Sequence, residues 1–371
     1  MHNQLLTLLS LLSKDSLKLD GIGFVAKKGV ANLTQSVHIK REEVLNKATK
    51  ILTLVGAPDD LALSVAESLV KAQECGHTSH GIMRLTEYVE FVKSGQVVPS
   101  ALPRLTSERG AVLNVDGQWG WGQVACKFAV DLVVERALKF GIATVAINSC
   151  NHIGRLGEYV EMVSERSLVA LMFCNSGPNV AAFGGKTRLF GTNPFAAAIP
   201  SSDGDIVIDF ATAGTAEGKL RVAHSNGDQV PIGLVITKDG APTNDPGAFY
   251  EGGALLPFGG HKGYCLSLLI DLLGGALSGI HPAMNPSYSL GNGTVLIAMD
   301  PDFFIGRETF NQDISKAKKL IKGSPAIDLD SPILLPGEVE ENAKRKNQEL
   351  VEIPAKNWEL IVDLEKSLAF T

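Results

Sequence analysis

The 371-residue chain carries 34 Lys and Arg against 40 Asp and Glu, a formal net charge of -6, so it offers no basic footprint for nucleic acid. With 45% hydrophobic and 20% charged residues it can bury a sizeable core, as one large domain or two smaller ones. Its five cysteines, Cys75, Cys126, Cys150, Cys174 and Cys265, are odd in number and scattered, which indicates neither a disulfide framework nor a zinc cluster. A reducing, cytoplasmic setting and no bound metal are therefore expected.

The first 36 residues read as an extension outside the folded body. Residues 5–12 form a leucine-rich stretch too short to span a bilayer, without the basic region or the small-residue cleavage site of a secretory signal. Asp15 and Asp20, and the absence of arginine before Arg41, argue against a mitochondrial presequence. Gly21-Ile22-Gly23-Phe24-Val25-Ala26 satisfies a G-x-G-x-x-A pattern, yet no strand precedes it and no helix follows, so it is a chance match to a dinucleotide fingerprint.

Residues 38–92 read as mainly helical, broken at Gly56-Ala57-Pro58. Over residues 59–74, Leu61, Val65, Ala66, Leu69 and Val70 fall on one face of a helix. A new helix beginning near Ser79 or His80 would place His80, Arg84 and Tyr88 on one stripe. A histidine, a guanidinium and a phenol so arranged suit a small carboxylate, which arginine can grip with two parallel hydrogen bonds. The competing reading is a solvated face with Arg84 paired to a nearby glutamate.

Beyond a Pro-containing exit at residues 95–103, residues 120–140 read as a helix ending at Gly141. The run Ile142-Ala143-Thr144-Val145-Ala146-Ile147 is a strand stopped by Asn148-Ser149-Cys150-Asn151. Glu158, Tyr159, Val160, Met162 and Val163 then have helical spacing, which sets His152 in the loop between a strand and a helix. An imidazole there can titrate near neutrality as a general acid or base, or it can merely cap the helix. Short apolar runs at residues 169–173, 196–199 and 206–210, separated by glycine-rich turns, indicate a sheet region. Residues 264–280 are apolar nearly all round and read as a buried helix, with Asp271 and several glycines speaking against a membrane span. Residues 313–322 read as an amphipathic helix. Gly214-Thr215-Ala216-Glu217-Gly218-Lys219-Leu220 has the wrong spacing for a P-loop.

Taken together, Gly76-His77-Thr78-Ser79-His80-Gly81, Asn151-His152-Ile153-Gly154-Arg155, Phe183-Gly184-Gly185, Gly191-Thr192-Asn193-Pro194, Ile208-Asp209-Phe210-Ala211-Thr212, Gly218-Lys219, Gly259-Gly260-His261-Lys262-Gly263-Tyr264 and Leu335-Pro336-Gly337-Glu338 occur in the order found in one family. The chain resembles the type 2 malate/L-lactate dehydrogenases, a group that includes ureidoglycolate and sulfolactate dehydrogenases. The resemblance starts near Val37 and runs to the C-terminal region. It implies a non-Rossmann α/β fold, a mixed sheet region flanked by N- and C-terminal helices, divided into residues 37–110 (helical), 111–305 (sheet-rich, cofactor and catalysis) and 306–371 (helical).

It further implies an NAD- or NADP-dependent oxidoreductase of a small 2-hydroxy or 2-oxo acid, malate- or lactate-like, working as a homodimer with no nucleic-acid or membrane partner. By the same resemblance His152 is the acid/base, and His80, Arg84 and Tyr88 bind substrate. Ser176, Asp209, Phe210, Ala211, Thr212, His261, Lys262 and Gly263 lie along the cofactor. Asp209 ends an apolar strand, where its carboxylate could accept from a ribose or cap a helix. Pro231-Ile232-Gly233-Leu234-Val235 lacks an aromatic residue frequent in the family, and Cys265 replaces a frequent glycine, so the substrate is limited to the class of 2-hydroxy acids. Cyclic imino acid reduction, a ureidoglycolate-type reaction and an inactive nucleotide-binding relative are the alternatives. The last would be marked by loss of His152 or Arg84, and both are present.

Overall fold

A computed structural model describes residues 36–328 and 330–369. The leucine-rich stretch at 5–12 and the G-x-G-x-x-A match lie outside those residues. Ser36, by contrast, belongs to the folded body. It opens β1 (Ser36–Lys40), which runs antiparallel to β14 (Leu350–Pro354) from Ser36 opposite Pro354 to Lys40 opposite Leu350.

Between these strands come α1 (Arg41–Leu54), α2 (Asp59–Glu74) and α3 (Arg84–Lys93). The apolar stripe of α2 is buried as its spacing requires, and Val65, Leu69, Ile51 and Leu85 share one core with Val351, Ile353 and Ile361. Ile361 comes from the last helix, α11 (Ala355–Ala369), so the N- and C-terminal segments form one layer.

The central layer is built from β2 (Arg104–Arg109), β3 (Val112–Asp116), α4 (Gly122–Phe140), β4 (Ile142–Asn148), α5 (Gly157–Ser164) and β5 (Val169–Cys174). It continues through β6 (Val180–Ala181), β7 (Arg188–Phe190), β8 (Phe195–Ile199), β9 (Ile206–Phe210) and α6 (Glu217–Asn226). Next are β10 (Val235–Ile236), β11 (Pro242–Thr243), α7 (Gly247–Tyr250), β12 (Ala254–Leu255), α8 (His261–Ile270) and β13 (Thr294–Met299). The helices α9 (Arg307–Lys322) and α10 (Glu338–Lys346) lead back to β14.

Seven strands make a mixed sheet in the order β2-β3-β4-β13-β5-β8-β9, in which β3 and β4 are parallel and the other neighbours antiparallel. Along β4 every second residue is buried, so Ala143, Val145 and Ile147 pack with Ala129, Val133 and Ala137 of α4. A smaller sheet, β11-β10-β12-β6-β7, joins two- and three-residue strands. No helix of the described residues is long and apolar enough to cross a membrane.

The structure departs from the sequence pattern at four places. The helix expected from Ser79 or His80 is instead a single 3-10 turn, Thr78–His80, and α3 begins only at Arg84. Gly81 is extended between them and lies so close to Gln73 that an added Cβ would come within 2.3 Å of its Oε1, so the chain packs against α2 where the helix is expected to run. The segment at 264–280 is not buried all round. It passes from α helix into a π-helical turn, Asp271–Leu277, and exposes Leu269, Leu272 and Leu277. Gly274 and Gly275 are pressed against Asn175 and neighbouring backbone, while the buried Asp271 accepts from Asn175 Nδ2 and from Ala283 N, which fixes one face only. The strands β1, β2 and β14 fall in parts read as helical, β1 and β14 because each finds its partner only at the other end of the chain, and β2 because its edge position leaves a mostly exposed, charged sequence without alternation. Finally, α9 starts at Arg307, six residues before the predicted start.

Candidate active site

His152, Ser176, Ala211 and Thr212 leave from one end of the seven-stranded sheet. Thr294 at the start of β13 pairs with Ile147 on one side and Cys174 on the other, while Phe195 pairs with both Phe173 and Phe210. The loops carrying His152 after β4, Ser176 after β5, and Ala211 and Thr212 after β9 therefore emerge side by side. Non-glycine residues in left-handed backbone stand in the loop after β4, at Ser149 (φ 45°), and in the segment between β7 and β8, at Asn193 (φ 40°). Such residues cost on the order of 1–3 kcal/mol each and persist where surrounding packing enforces them.

Packing fixes the His152 loop from several directions. Asn151 Nδ2 donates to the carbonyls of Gln96, Trp119 and Gly120. The buried Tyr159 hydroxyl donates to Ile153 O. At the start of α4, Gly122 lies where a Cβ would come within 2.4 Å of Asn151 O and 2.5 Å of His152 O, so no larger residue fits.

The structure brings His80, Arg84, Tyr88 and His152 together. The Tyr88 hydroxyl lies 2.8 Å from His152 Nδ1, and the His80 and His152 rings stack with centroids 5.5 Å apart. Arg84 Nε donates to Ser79 O, and Nη1 pairs with Glu87, so the glutamate partner allowed for in the sequence is present. Gly218 of α6 lies where a Cβ would come within 3.2 Å of Ser79 Cβ, so α6 covers the His80 turn. Gln123 Nε2 donates to Tyr88 Oη at 2.6 Å. The sequence reading missed this contact. Its visible signal is a glutamine on the stripe Gln123, Cys126, Val130 and Val133, which is otherwise apolar.

Burial, reinforced by the positive charge of Arg84, holds both histidines neutral. The His80 pKa falls from 6.5 to about 3, and that of His152 lies well below the ordinary histidine value. Burial also pushes the Tyr88 phenol up, so it stays protonated. A histidine with a depressed folded pKa binds fewer protons folded than unfolded, so its contribution to stability falls as pH drops below 6.5 toward about 3. The melting midpoint should therefore decrease on acidification through that window, and His80→Gln should flatten the slope. Equal slopes for both proteins in calorimetry would contradict the assignment.

A second group of candidates forms a strip beside the first. Ser176 N donates to Asn193 Oδ1, and Ser176 Oγ lies 3.5 Å from Thr192 Oγ1. Thr212 N and Oγ1 both donate to Thr192 O. Phe258 N donates to Thr212 O, the Phe258 ring meets Phe210 edge-on, and Phe258 O lies against Gly263, where a Cβ would come within 2.0 Å. The strip thus ends at the N-terminus of α8, where Gly259 and Gly260 have φ of 56° and 63°. No side chain caps this helix, and its first turn carries His261 and Lys262 with no acidic residue. Free amides, a helix dipole and a lysine together fit a phosphate-bearing ligand.

Asp209 also makes a contact within the protein. Its Oδ2 accepts from Gly157 N at 2.7 Å, capping α5, and lies next to the buried Arg155, which pairs with Glu161. Burial raises the Asp209 pKa, against the pull of Arg155 and the Gly157 amide. The helix it caps is α5, which starts 52 positions earlier in the chain. Asp209→Ala should therefore lower stability by about 0.5–2 kcal/mol, measured by urea unfolding. Unchanged stability with weakened nucleotide binding would return the residue to a ribose role.

All five cysteines are free, Cys265 alone being exposed. Among the described residues no group of three or more His, Cys, Asp or Glu side chains could hold a metal.

Comparison with known proteins extends this geometry. Residues 39–362 match the profile of the family described as malate/L-lactate dehydrogenase. The L-sulfolactate dehydrogenase of Methanocaldococcus jannaschii is 36% identical over 321 residues, covering 85% of this chain and 92% of that protein. The Delta(1)-pyrroline-2-carboxylate/Delta(1)-piperideine-2-carboxylate reductase of Pseudomonas putida is also 36% identical, over 310 residues, covering 81% and 89%. The structure of malate dehydrogenase from Pyrococcus horikoshii OT3 superimposes with a TM-score of 0.82 at 30% identity, covering 92% of this chain and 98% of that one. With a family profile matching residues 39–362 and relatives 36% identical over most of its length, this chain belongs to the malate/L-lactate dehydrogenase family of oxidoreductases.

Proposed function

We propose that the protein interconverts a small 2-hydroxy acid and the corresponding 2-oxo acid with NAD or NADP, His152 serving as acid and base. The observation that carries this reading is the convergence of His152, Tyr88, His80 and Arg84, three groups able to hold or move a proton beside one able to hold a carboxylate. The bound nicotinamide supplies the hydride acceptor or donor. His152 Nε2 takes the hydroxyl proton in oxidation and returns it to the carbonyl oxygen in reduction, so no full alkoxide forms. Arg84 holds the carboxylate and, with His80, orients the reacting carbon. Lys262 and the amides around His261 and Gly263 hold cofactor phosphate, while Ser176, Phe210 and Ala211 line its path. Asp209, which also accepts from Gly157 N, and Thr212, which also donates to Thr192 O, complete that path at the end of β9. The α8 N-terminus suits the cofactor because its amides are uncapped and its glycines leave room for close backbone approach.

Reduction of a cyclic imine is the second reading, supported by the 36% identity to the Pseudomonas putida reductase. Initial rates against 2-oxo acids, ureidoglycolate and cyclic imines, with NADH and NADPH in parallel, separate the two and set the cofactor preference. No turnover of any 2-oxo acid would defeat the first reading.

The exposed Leu269, Leu272 and Leu277 support a homodimer formed through the α8 region, and the free thiols support a cytoplasmic location. Light scattering should give twice the 39.4 kDa chain mass, and Leu272→Glu should halve it. A monomer at micromolar concentration would overturn the assembly.

A further inference from the structure

Gln123 is fully buried on α4 and Tyr88 is 2% exposed. Gln123 Nε2 donates to Tyr88 Oη at 2.6 Å, Tyr88 Oη lies 2.8 Å from His152 Nδ1, and Gln123 Oε1 is buried without a hydrogen-bond partner. A phenol has one proton to give. With the Gln123 amide N–H directed at Oη, that proton points to His152 Nδ1, and the neutral imidazole carries its own proton on Nε2. In this tautomer Nε2, which has no protein partner among the described residues, cannot accept a proton.

Turning the Gln123 amide over reverses the row. Oε1 then accepts from the Tyr88 hydroxyl, Tyr88 Oη accepts from His152 Nδ1–H, and Nε2 presents a lone pair. In either orientation one amide atom bonds Tyr88 and the other has no partner, so the two orderings differ chiefly in what Nε2 offers.

We propose that Gln123 is a positioning residue whose amide orientation, relayed by Tyr88, selects the tautomer of His152 and so switches it between a resting form and a proton-accepting form. The inference rests on the acid/base reading of His152. The proton count closes in the reversed row. In oxidation the O–H bond of the hydroxy acid breaks, its proton joins Nε2, and the hydride leaves carbon for the nicotinamide. The resulting imidazolium keeps Nδ1–H on Tyr88. In reduction Nε2–H passes to the carbonyl oxygen while carbon receives the hydride, and the neutral Nδ1–H tautomer is restored. Both directions of turnover therefore need Tyr88 to donate to Gln123, the opposite of the ordering in which Gln123 Nε2 donates to Tyr88 Oη.

The test is the ¹⁵N spectrum of the His152 imidazole in the full chain, which distinguishes the Nε2–H and Nδ1–H tautomers without turnover. The wild type should show Nε2–H. Gln123→Glu, which when ionised only accepts, should show Nδ1–H, and Gln123→Met should give a mixture. In steady-state oxidation, Gln123→Met should lower kcat about 10- to 100-fold, part of the roughly 10²–10⁴ that acid–base catalysis contributes, with KM nearly unchanged. Gln123→Glu should recover most of the loss. Tyr88→Phe should uncouple the pair, so that adding Gln123→Glu to it no longer moves the tautomer.

One tautomer common to wild type, Gln123→Glu and Gln123→Met would overturn the proposal. So would a Tyr88→Phe background in which Gln123→Glu still shifts it, a comparison that stands even if Gln123→Met does not fold. Full activity of His152→Ala would instead defeat the acid/base reading and leave the spectroscopic result to be judged by itself.

Discussion

Replacing His152 by alanine is expected to lower turnover by about 10²–10⁴-fold while leaving nucleotide affinity nearly unchanged. The reason is spatial. His152 bonds Tyr88 and stacks on His80, whereas the strip proposed for the cofactor runs through Ser176, Thr192, Thr212 and Phe258 to α8. Removing the imidazole takes away the proton acceptor without disturbing that strip. The loop should also survive, because Asn151 and Tyr159 hold its backbone independently of the ring. Single-turnover rates and a fluorescence titration with NAD(P)H check both halves. Unchanged turnover would remove His152 from the chemistry, and lost nucleotide binding would show that the two groups are not separable.

Arg84 should have the second large effect. Arg84→Ala is expected to weaken substrate by about 2–5 kcal/mol in kcat/KM if the ion pair is desolvated, and Arg84→Lys should recover little, because an ammonium cannot reproduce a two-pronged grip. The structure adds a further consequence. Arg84 Nε is spent on Ser79 O and one Nη1 N–H on Glu87, so a substrate carboxylate taken up by the other guanidinium N–H groups sits beside the Glu87 charge. Glu87→Gln should therefore lower KM for a carboxylate substrate, an effect opposite in sign to that of Arg84→Ala. Substrate analogues without the carboxylate should not distinguish wild type from either variant. If they lose activity with Arg84→Ala to the same degree, the guanidinium is not a carboxylate anchor.

The local parts of this protein are legible in its residues. The stripe of α2, the stop of α4 at Gly141 with φ 82°, the alternation of β4 and the placing of His152 between β4 and α5 all follow from neighbours within a turn or two. His80, Arg84, Tyr88 and His152 could be named as candidates because their types and motifs stand in the sequence. Which of them touch could not.

Periodicity reports only on residues a few positions apart. The Gln123–Tyr88 contact joins positions 35 apart, Tyr88–His152 joins positions 64 apart, and Asp209 reaches a helix start 52 positions earlier. The extended Gly81 likewise meets Gln73 of α2, eight positions earlier, a contact beyond the reach of helical spacing. The exposure of Leu269, Leu272 and Leu277 depends on which face of α8 and the π turn the sheet covers, and an apolar sequence reads the same on both faces. The sequence by itself determined the family, the sheet-and-helix alternation and the chemical groups available. The tertiary structure decided which groups meet, that Asp209 caps α5, and that His152 is held by a buried tyrosine and glutamine, because hydrogen-bond direction and burial are properties of the packed chain and not of any local stretch.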